Sequence, residues 1–178
     1  MIYLIRHGET EANARRLYCG STDLPLSAQG RAALVGLHYS VAAKHFVTSG
    51  MKRTEETLAL LFGDVPHAQE PAFREMDFGA FEMRSYAQLK SDPDYQAWLT
   101  GDNEANCTPG GESGQQMTAR ALAAFAQLPD STVLVTHGGV IAAIMAHRFP
   151  EKGKNRYQWQ PRPGHGYALG ETDYYEIP

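Results

Sequence analysis

The chain opens with a short apolar run that ends abruptly at a polar cluster. Residues 2–5 read Ile-Tyr-Leu-Ile, and Arg6, His7 and Gly8 follow them directly. A run of β-branched and aromatic residues of this length is typical of a buried strand, and the glycine indicates a turn behind it. Because ligands of open α/β sheets bind beyond the carboxyl ends of the strands, the pattern predicts a site that contains Arg6 and His7.

Other apolar runs predict further strands. Residues 131–136 form a continuous β-branched stretch, which is typical of a buried strand in a parallel sheet, and this stretch ends at His137. Residues 45–48 predict a short strand, and residues 67–71 predict a weaker one. The C-terminal segment 167–177 predicts one last strand, and an edge of the sheet is one place where it could lie.

Helical periodicity and capping residues predict the helices between these strands. Ser27 is placed as an N-cap, and Ser113 with Gln116 forms a capping-box pattern. The predicted helices cover residues 27–43, 53–62, 86–100 (as one or two helices broken near Asp92-Pro93), 113–128 and 140–148. The predicted loops are 11–25, 102–111 and 151–164, with an irregular segment at 73–84.

The alternation of strands and helices predicts an α/β fold. We expect a doubly wound, mostly parallel sheet flanked by helices, formed by residues 1–178 as a single domain. A chain of 178 residues fits one domain and is long enough to bury a sizeable core. No internal repeat or linker divides the sequence, and a homodimer is left open.

Composition narrows the classes of function. The net charge of −4 argues against nucleic acid and against an anionic membrane as partners. No apolar run approaches the ~20 residues of a membrane-spanning helix, and the first strand begins too early for a signal peptide. Cys19 and Cys107 are too far apart for a disulfide framework or a metal site. These features predict a cytoplasmic protein without a metal centre.

Three predicted strand ends carry polar clusters: Arg6-His7, the turn that leads to Arg53, and His137-Gly138. An arginine clamps phosphate oxygens with two N–H groups, and a neutral imidazole can attack phosphorus. The structural interpretation is that these side chains simply face solvent. From the residues alone, that interpretation is favoured for Arg6 and His7. For a lone His137, a functional role and a purely structural one are equally favoured.

The sequence around these residues resembles the histidine phosphatase superfamily, which includes the phosphoglycerate mutases. Arg-His-Gly-Glu-Thr at residues 6–10, with Asn13 behind it, is similar to the signature of that family. Residues 49–53 keep the spacing of the family's Ser-Pro-Leu-x-Arg pattern, with Gly-Met in place of Pro-Leu. Residues 75–82 resemble its Glu-x-x-Phe-Gly-x-aromatic-Glu segment, and residues 135–139 resemble its second-histidine motif.

The resemblance implies a phosphoglycerate mutase-like fold and a reaction that passes through a phosphohistidine. It makes His7 the nucleophile and Glu75 the proton donor. Asp77 and Glu82 are alternatives to Glu75 within the same segment. A carboxyl group is required because the departing alkoxide needs a proton, and the same group can then activate water.

The resemblance also implies which groups bind the phosphate. Arg6, Arg53 and a protonated His137 would meet the three equatorial oxygens, where charge accumulates during phosphoryl transfer. The further substrate-binding positions, through side chains or backbone amides, are Asn13, Cys19, Gly20 and Gly138. No metal and no cofactor is expected, because arginines and a histidine take their place.

A closer resemblance is to the α-ribazole phosphatases, which act in cobalamin assembly, and it is carried by residues 75–84 and 95–98. It implies a phosphomonoesterase for a small phosphorylated metabolite, with α-ribazole 5'-phosphate as one option. Residues of about 79–112 would form a small helical cap. Within that cap, Tyr95 and Trp98 either line the substrate or pack the helices.

Two other functions stay in view. A phosphoglycerate mutase-type isomerase would use the same histidine but carries a longer, more basic insertion. The segment between Glu75 and His137 offers only Arg84, Lys90 and Arg120 as cations, which favours a phosphatase. An inactive phosphate-binding domain ranks low, because the nucleophilic histidine is present.

Overall fold

The computed structural model describes residues 1–150 and 153–178. Its strands are β1 (Ile2–Arg6), β2 (His45–Thr48), β3 (Ala68–Gln69), β4 (Thr132–Thr136), β5 (Gly166–Leu169) and β6 (Tyr174–Ile177). In the described part they form a six-stranded sheet with the order β3-β2-β4-β1-β5-β6. The first four are parallel to one another, and β5 and β6 add an antiparallel edge. The predicted α/β fold with a mostly parallel sheet is confirmed.

The helices around the sheet are α1 (Glu11–Ala14), α2 (Ala28–Val35), α3 (Lys52–Phe62), α4 (Tyr86–Leu89), α5 (Pro93–Leu99), α6 (Gly114–Phe125) and α7 (Gly138–Arg148). Short 3-10 turns cover Pro71–Phe73, Gly79–Phe81 and Arg156–Trp159. Among the described residues, no helix is both long enough and apolar enough to span a membrane.

The sheet is covered on both faces, because successive side chains of a strand point to opposite sides. On one face, Leu4 and Leu134 join an apolar core shared with α6 and α7. On the other face, Ile5 and Val135 pack with Leu58 of α3. Every residue of β4 is buried, as expected for a central parallel strand. The arrangement is therefore doubly wound.

Capping contacts confirm several predicted boundaries. Ser27 accepts a backbone N–H at the start of α2, and Ser113 with Gln116 forms the predicted capping box of α6. The break at Asp92-Pro93 separates α4 from α5, and the Asp92 side chain caps α5. The predicted ends of α6 and α7 differ from the observed ones by a few residues, and the short helix α1 lies inside a predicted loop.

The prediction of one helix over residues 27–43 was wrong in length. Helix α2 ends at Val35, and Gly36 is its C-cap. A glycine inside a helix costs about 1 kcal/mol relative to alanine. Extending the helix through Gly36 would therefore gain little stability, and the helix ends before it. Beyond it, Tyr39, Val41 and Ala43 pack at alternate positions against the core, as in an extended segment.

The prediction of one last strand over residues 167–177 was also wrong. The segment forms the hairpin of β5 and β6, with Gly166 opposite Ile177. The amide of Gly170 donates to the carbonyl of Asp173 at 2.9 Å and closes the turn. Glycine and aspartate favour such turns, so they outweigh the apolar residues on either side. Of the predicted loop 151–164, residues 151–152 lie outside the described part.

Residues 79–112 contain α4 and α5 and enclose a small apolar cluster of their own. Phe81, Leu89 and Tyr95 are its buried members, and Trp98 packs against them. Tyr95 is 2% exposed, so its ring packs the helices. Trp98 packs against this cluster and also lines a cavity that contains Arg6 and His7, so both roles that the sequence left open stay compatible with its position.

Candidate active site

A cavity of about 340 Å³ lies where β1 and β4 end. Arg6 and His7 enter it from the end of β1, and Gly138 enters it from the start of α7, directly after β4. The cavity is also lined by groups from other segments: Asn13, Leu17, Tyr18, Cys19, Glu75, Met76, Phe78, Trp98, Leu99, Asn103, Glu104, Gly114, Gly139, Arg156, Tyr157 and Gln160. The parallel strands thus bring two of the three predicted polar clusters into one cavity.

His7 is buried and held in one orientation. Its Nδ1 lies 2.7 Å from the carbonyl oxygen of Gly8, which can only accept, so Nδ1 carries the proton. The Nε2 nitrogen therefore keeps its lone pair. Burial, and then the positive charges of Arg53 and Arg6, hold the pKa of His7 well below its usual value of 6.5. The ring is neutral at physiological pH, as a nucleophile must be.

Arg6 is oriented by a carbonyl group and retains an unpaired donor. Its Nη1 donates to the carbonyl of Pro161 at 2.8 Å. Its Nε is buried and has no partner among the described residues. Burial lowers the pKa of Arg6 below its usual 12.5. A buried arginine with a free N–H beside the amino end of α7 is suited to bind an anion.

Arg53 is almost completely buried, with 1% of its surface exposed. It donates to the carbonyl oxygens of Gly20 at 2.7 Å and Thr22 at 2.9 Å, and its Nε donates to His137. These bonds use three of the five N–H donors of a guanidinium group, which leaves two for a ligand. The carbonyl groups compensate a cation that would otherwise be disfavoured at the start of a helix.

His137 lies beside both Arg53 and His7. Its Nδ1 accepts from Arg53 Nε at 3.3 Å, so the proton of the neutral ring sits on Nε2, which donates to Ser49 Oγ at 2.8 Å. Burial, and then the charge of Arg53, lower the pKa of His137 well below 6.5. These contacts favour a neutral ring rather than the protonated His137 that the resemblance implies, because the ring is buried and Arg53 Nε occupies its Nδ1.

Glu75 lines the cavity at the amino end of α7. Its Oε2 accepts the backbone N–H of Gly139 at 2.9 Å, and its Oε1 accepts that of Met76 at 2.9 Å. The centroids of the His7 and His137 rings are 5.1 Å apart, and neither His137 nor Arg53 lines the cavity itself. Glu75 is thus placed among the groups that a phosphate ester would meet.

The two alternative carboxylates hold loops in place and do not line that cavity. Glu82 accepts the backbone N–H groups of Gly20, Ser21 and Thr22 and so fixes the loop after α1. Asp77 accepts Ser21 Oγ at 2.9 Å and a backbone N–H within its own turn. The geometry therefore favours Glu75 as the acid, and its role stays a prediction.

The predicted binding residues divide into two groups. Asn13 and Cys19 line the cavity, as Gly138 does. The Oδ1 of Asn13 accepts from the backbone of Thr10 at 3.0 Å, which leaves the amide N–H groups as donors. Burial raises the pKa of Cys19, so its thiol stays protonated.

Gly20 does not supply a donor to the cavity, contrary to the expectation. Its N–H is taken by the Glu82 carboxylate at 2.9 Å. A Cβ at this position would collide with the carbonyl oxygen of Met76. The glycine is needed for close approach of two backbone segments, which the sequence pattern could not show.

Other residues of the site were not found from the sequence. Thr57 Oγ1 accepts the N–H of Gly8 at 2.9 Å and so holds the turn behind His7. Arg156, Tyr157 and Gln160 line the cavity from a segment that was interpreted as a plain loop. The high density of aromatic and polar residues at 156–160 was the available signal.

The three cations considered for a second anion-binding group do not line the cavity. Arg84 pairs with Asp92 on the surface of the 79–112 segment. Arg120 pairs with Glu112 and donates to backbone carbonyls. Within residues 1–150 and 153–178, no three histidine, cysteine, aspartate or glutamate side chains are grouped so that they could hold a metal ion.

Comparisons with known proteins agree with this geometry. Residues 2–169 match the family model of the histidine phosphatase superfamily, branch 1. The chain is 34% identical over 158 residues to "Probable phosphoglycerate mutase GpmB" of Salmonella paratyphi C, in a match that covers 82% of this chain and 73% of that protein.

Two solved structures share the fold. The α-ribazole phosphatase of Shigella flexneri aligns with a TM-score of 0.80 and 27% identity, over 97% of this chain and 92% of the other. The phosphoglycerate mutase of Thermus thermophilus aligns with a TM-score of 0.78 and 31% identity, over 94% of this chain and 91% of the other.

Proposed function

The chain belongs to the histidine phosphatase superfamily, and from this membership we propose that it is a metal-independent phosphomonoesterase that works through a phosphohistidine on His7. The observation that carries the proposal is the state of that ring. It is neutral, oriented by Gly8, and shares one cavity with Arg6 and Glu75. These are a nucleophile, an anion-binding cation and a carboxyl group, which together suffice for phosphoryl transfer.

In the first step, the lone pair of His7 Nε2 attacks the phosphorus atom, and the bond to the ester oxygen breaks. Arg6, Arg53 and the first N–H of α7 stabilise the charge on the equatorial oxygens. The departing alkoxide takes a proton from Glu75. The Nδ1–H bond to the Gly8 carbonyl stabilises the positive charge that develops on the ring.

In the second step, Glu75 is a carboxylate and removes a proton from water as the water attacks phosphorus. The bond between phosphorus and His7 Nε2 breaks, and inorganic phosphate is released. Glu75 regains its proton, so the cycle closes. One carboxyl group thus acts as acid and then as base.

The named relatives leave two reaction classes, hydrolysis and isomerisation. A mutase must hold the released product so that it can be phosphorylated again, which calls for cations beyond the first phosphate site. Arg84 and Arg120 are engaged elsewhere and do not line the cavity. Arg156 does line the cavity, but its charge is paired with Glu104. We infer that product escapes to water, so hydrolysis is the main reaction and phosphoglycerate isomerisation is the alternative.

The aromatic part of the cavity lining suggests the substrate. Tyr18, Phe78 and Trp98 present aromatic rings to the cavity, and residues 79–112 would cap it. α-Ribazole 5'-phosphate, which carries a flat aromatic base, is a substrate of this shape and would place the enzyme in cobalamin assembly. Other small phosphorylated metabolites with a flat apolar group fit equally.

The test is a phosphatase screen with a metal chelator present. It covers an activated aryl phosphate, sugar phosphates, nucleotides, phosphoglycerates and α-ribazole 5'-phosphate. We expect phosphate release by the wild type, and loss of both turnover and acid-labile phosphoenzyme in His7→Asn. Labelled phosphate that remains bound to the His7→Asn protein would overturn the assignment.

A further inference from the structure

The wall of the cavity contains an ion pair. Arg156 Nη1 of the 156–159 turn contacts Glu104 Oε2 of the segment between α5 and α6. Both side chains line the cavity that contains His7, and both are partly buried, with 21% and 39% of their surfaces exposed. The pair therefore joins the 79–112 region to the C-terminal part of the chain at the cavity wall.

Gly114 leaves the room that this pair occupies. A Cβ at this position would collide with Glu104 Oε2 and would come within 2.8 Å of Arg156 Nη1. A side chain at the first residue of α6 would therefore displace the ends of both charged side chains.

The two arginines that line the cavity differ in their pairing. Arg6 keeps a buried Nε without a partner among the described residues. The charge of Arg156 is cancelled by Glu104. A neutralised arginine does not attract a second anion, and the carboxylate repels one. A substrate body that carries its own negative charge is therefore disfavoured there.

We propose that the Glu104–Arg156 pair is a specificity device that restricts the enzyme to phosphomonoesters of uncharged alcohols. The proposal rests on the function proposed above and narrows it to one chemical class. Esters whose alcohol carries a carboxylate or a second phosphate are disfavoured because the charge of Glu104 repels them, and not because they are too large. The same pair predicts poor use of phosphoglycerates by this protein, although its relatives include a probable phosphoglycerate mutase.

The test compares two esters that differ in one group. Glycerol 3-phosphate and 3-phosphoglycerate share a three-carbon skeleton and a primary phosphate, and only the second carries a carboxylate. In Glu104→Gln, Arg156 becomes free to bind that carboxylate. We expect the ratio of kcat/KM for 3-phosphoglycerate to that for glycerol 3-phosphate to rise about tenfold, which corresponds to about 1.4 kcal/mol.

Three further variants separate the pair from a general charge effect. Asp94→Asn removes the same charge from the exposed face of α5 and should leave the ratio within about twofold. Arg156→Gln leaves Glu104 unpaired and should lower the ratio. The double variant, Glu104→Gln with Arg156→Gln, should not show the rise in the kcat/KM ratio that we expect for Glu104→Gln alone. An unchanged ratio in Glu104→Gln, an equal gain in Asp94→Asn, or a gain kept by the double variant would each overturn the proposal.

A binding measurement keeps this test separate from the proposed function. In a His7→Ala background, calorimetry gives the dissociation constants of both esters without turnover. We expect Glu104→Gln to shift their ratio toward 3-phosphoglycerate there too. If wild type does not hydrolyse even an aryl phosphate, the proposed function fails. If it does, and the binding ratio does not move, only the role of the pair fails.

Discussion

Burial favours the neutral form of both histidines of the candidate site. His7 and His137 are 5% and 0% exposed, and each lies within reach of the Arg53 charge. The sequence predicted the neutral state of His7 from its role as nucleophile. It did not predict that of His137, because a motif shows which residues are near in the chain and not how deeply a ring is buried or which nitrogen an arginine occupies.

The low pKa of His7 predicts an enzyme that remains active in mild acid. The reactive form is the neutral ring, so lowering the pH removes activity only as the pH falls through the depressed pKa. The acid limb of kcat/KM should therefore lie well below pH 6.5. The measurement is a pH–rate profile on an aryl phosphate. Its phenolate leaving group needs no proton from Glu75, so the acid limb reports on His7 alone. A half-loss of kcat/KM at or above pH 6.5 would contradict this assignment.

Replacement of Glu75 should separate substrates by their leaving groups. In Glu75→Gln, sugar phosphates should lose on the order of 10²–10⁴-fold in rate, because the alkoxide needs a proton. An aryl phosphate should still phosphorylate His7, while water attack slows. Phosphohistidine should therefore accumulate, which acid-quenched labelling measures.

Asp77→Asn is the matched control for that variant, since Asp77 lies in the same segment and bonds to Ser21 outside the cavity. It should change neither the leaving-group dependence nor the phosphoenzyme level. Near-normal sugar phosphate hydrolysis in Glu75→Gln, with its loss in Asp77→Asn or Glu82→Gln, would assign the acid to a different carboxylate.

At the scale of elements, the strand ends and helix caps could be predicted, and the contacts between distant segments could not. Local patterns such as the Ser113 capping box are complete within a few residues. The support of Glu75 is different, because it comes from α6. Arg120 donates to the carbonyls of Ala72, Arg74 and Glu75, and it pairs with Glu112. No local pattern identifies such a clamp.

This clamp predicts a positioning effect on the acid. Arg120→Lys keeps the charge but replaces five planar donors with a compact ammonium group, so the 72–75 segment should lose its fixed geometry. We expect rates on alkyl phosphates to fall about tenfold, with a smaller change on an aryl phosphate, because only the former depend on Glu75.

Arg84→Lys provides the control for this clamp, since Arg84 pairs with Asp92 away from the cavity. Its rates on both kinds of ester should stay near those of wild type. Equal losses of Arg120→Lys on both kinds of ester would show that Arg120 supports folding rather than the acid.

At the scale of the whole molecule, the fold could be predicted from the alternation of strands and helices. The lining of the cavity could be predicted only in part. The parallel strands made it predictable that Arg6 and His137 would meet. The wall at Arg156 depends on a segment distant in sequence that packs across the cavity, so its charge balance appears only in three dimensions.

The two buried histidines also link folding stability to pH. Folded, both rings are neutral, because burial and Arg53 lower their pKa. Unfolded, each has its usual pKa near 6.5 and takes up a proton below it. The unfolded chain then binds more protons than the folded one, so the free energy of unfolding falls as the pH drops below 6.5. The slope is at most about 1.4 kcal/mol per pH unit for each histidine.

Urea denaturation between pH 7 and pH 5 measures this slope. His137→Gln removes one titrating ring and should reduce the slope, whatever its effect on stability at pH 7. His38→Gln, at an exposed position, should leave it unchanged. His67 opposes the trend, because the carbonyl of Val65 and then Glu55 raise its pKa and favour the folded state below 6.5. His67→Gln should therefore steepen the loss. An equal slope in wild type and His137→Gln would mean that the His137 ring takes up no extra proton on unfolding, and its neutral folded state would have to be abandoned.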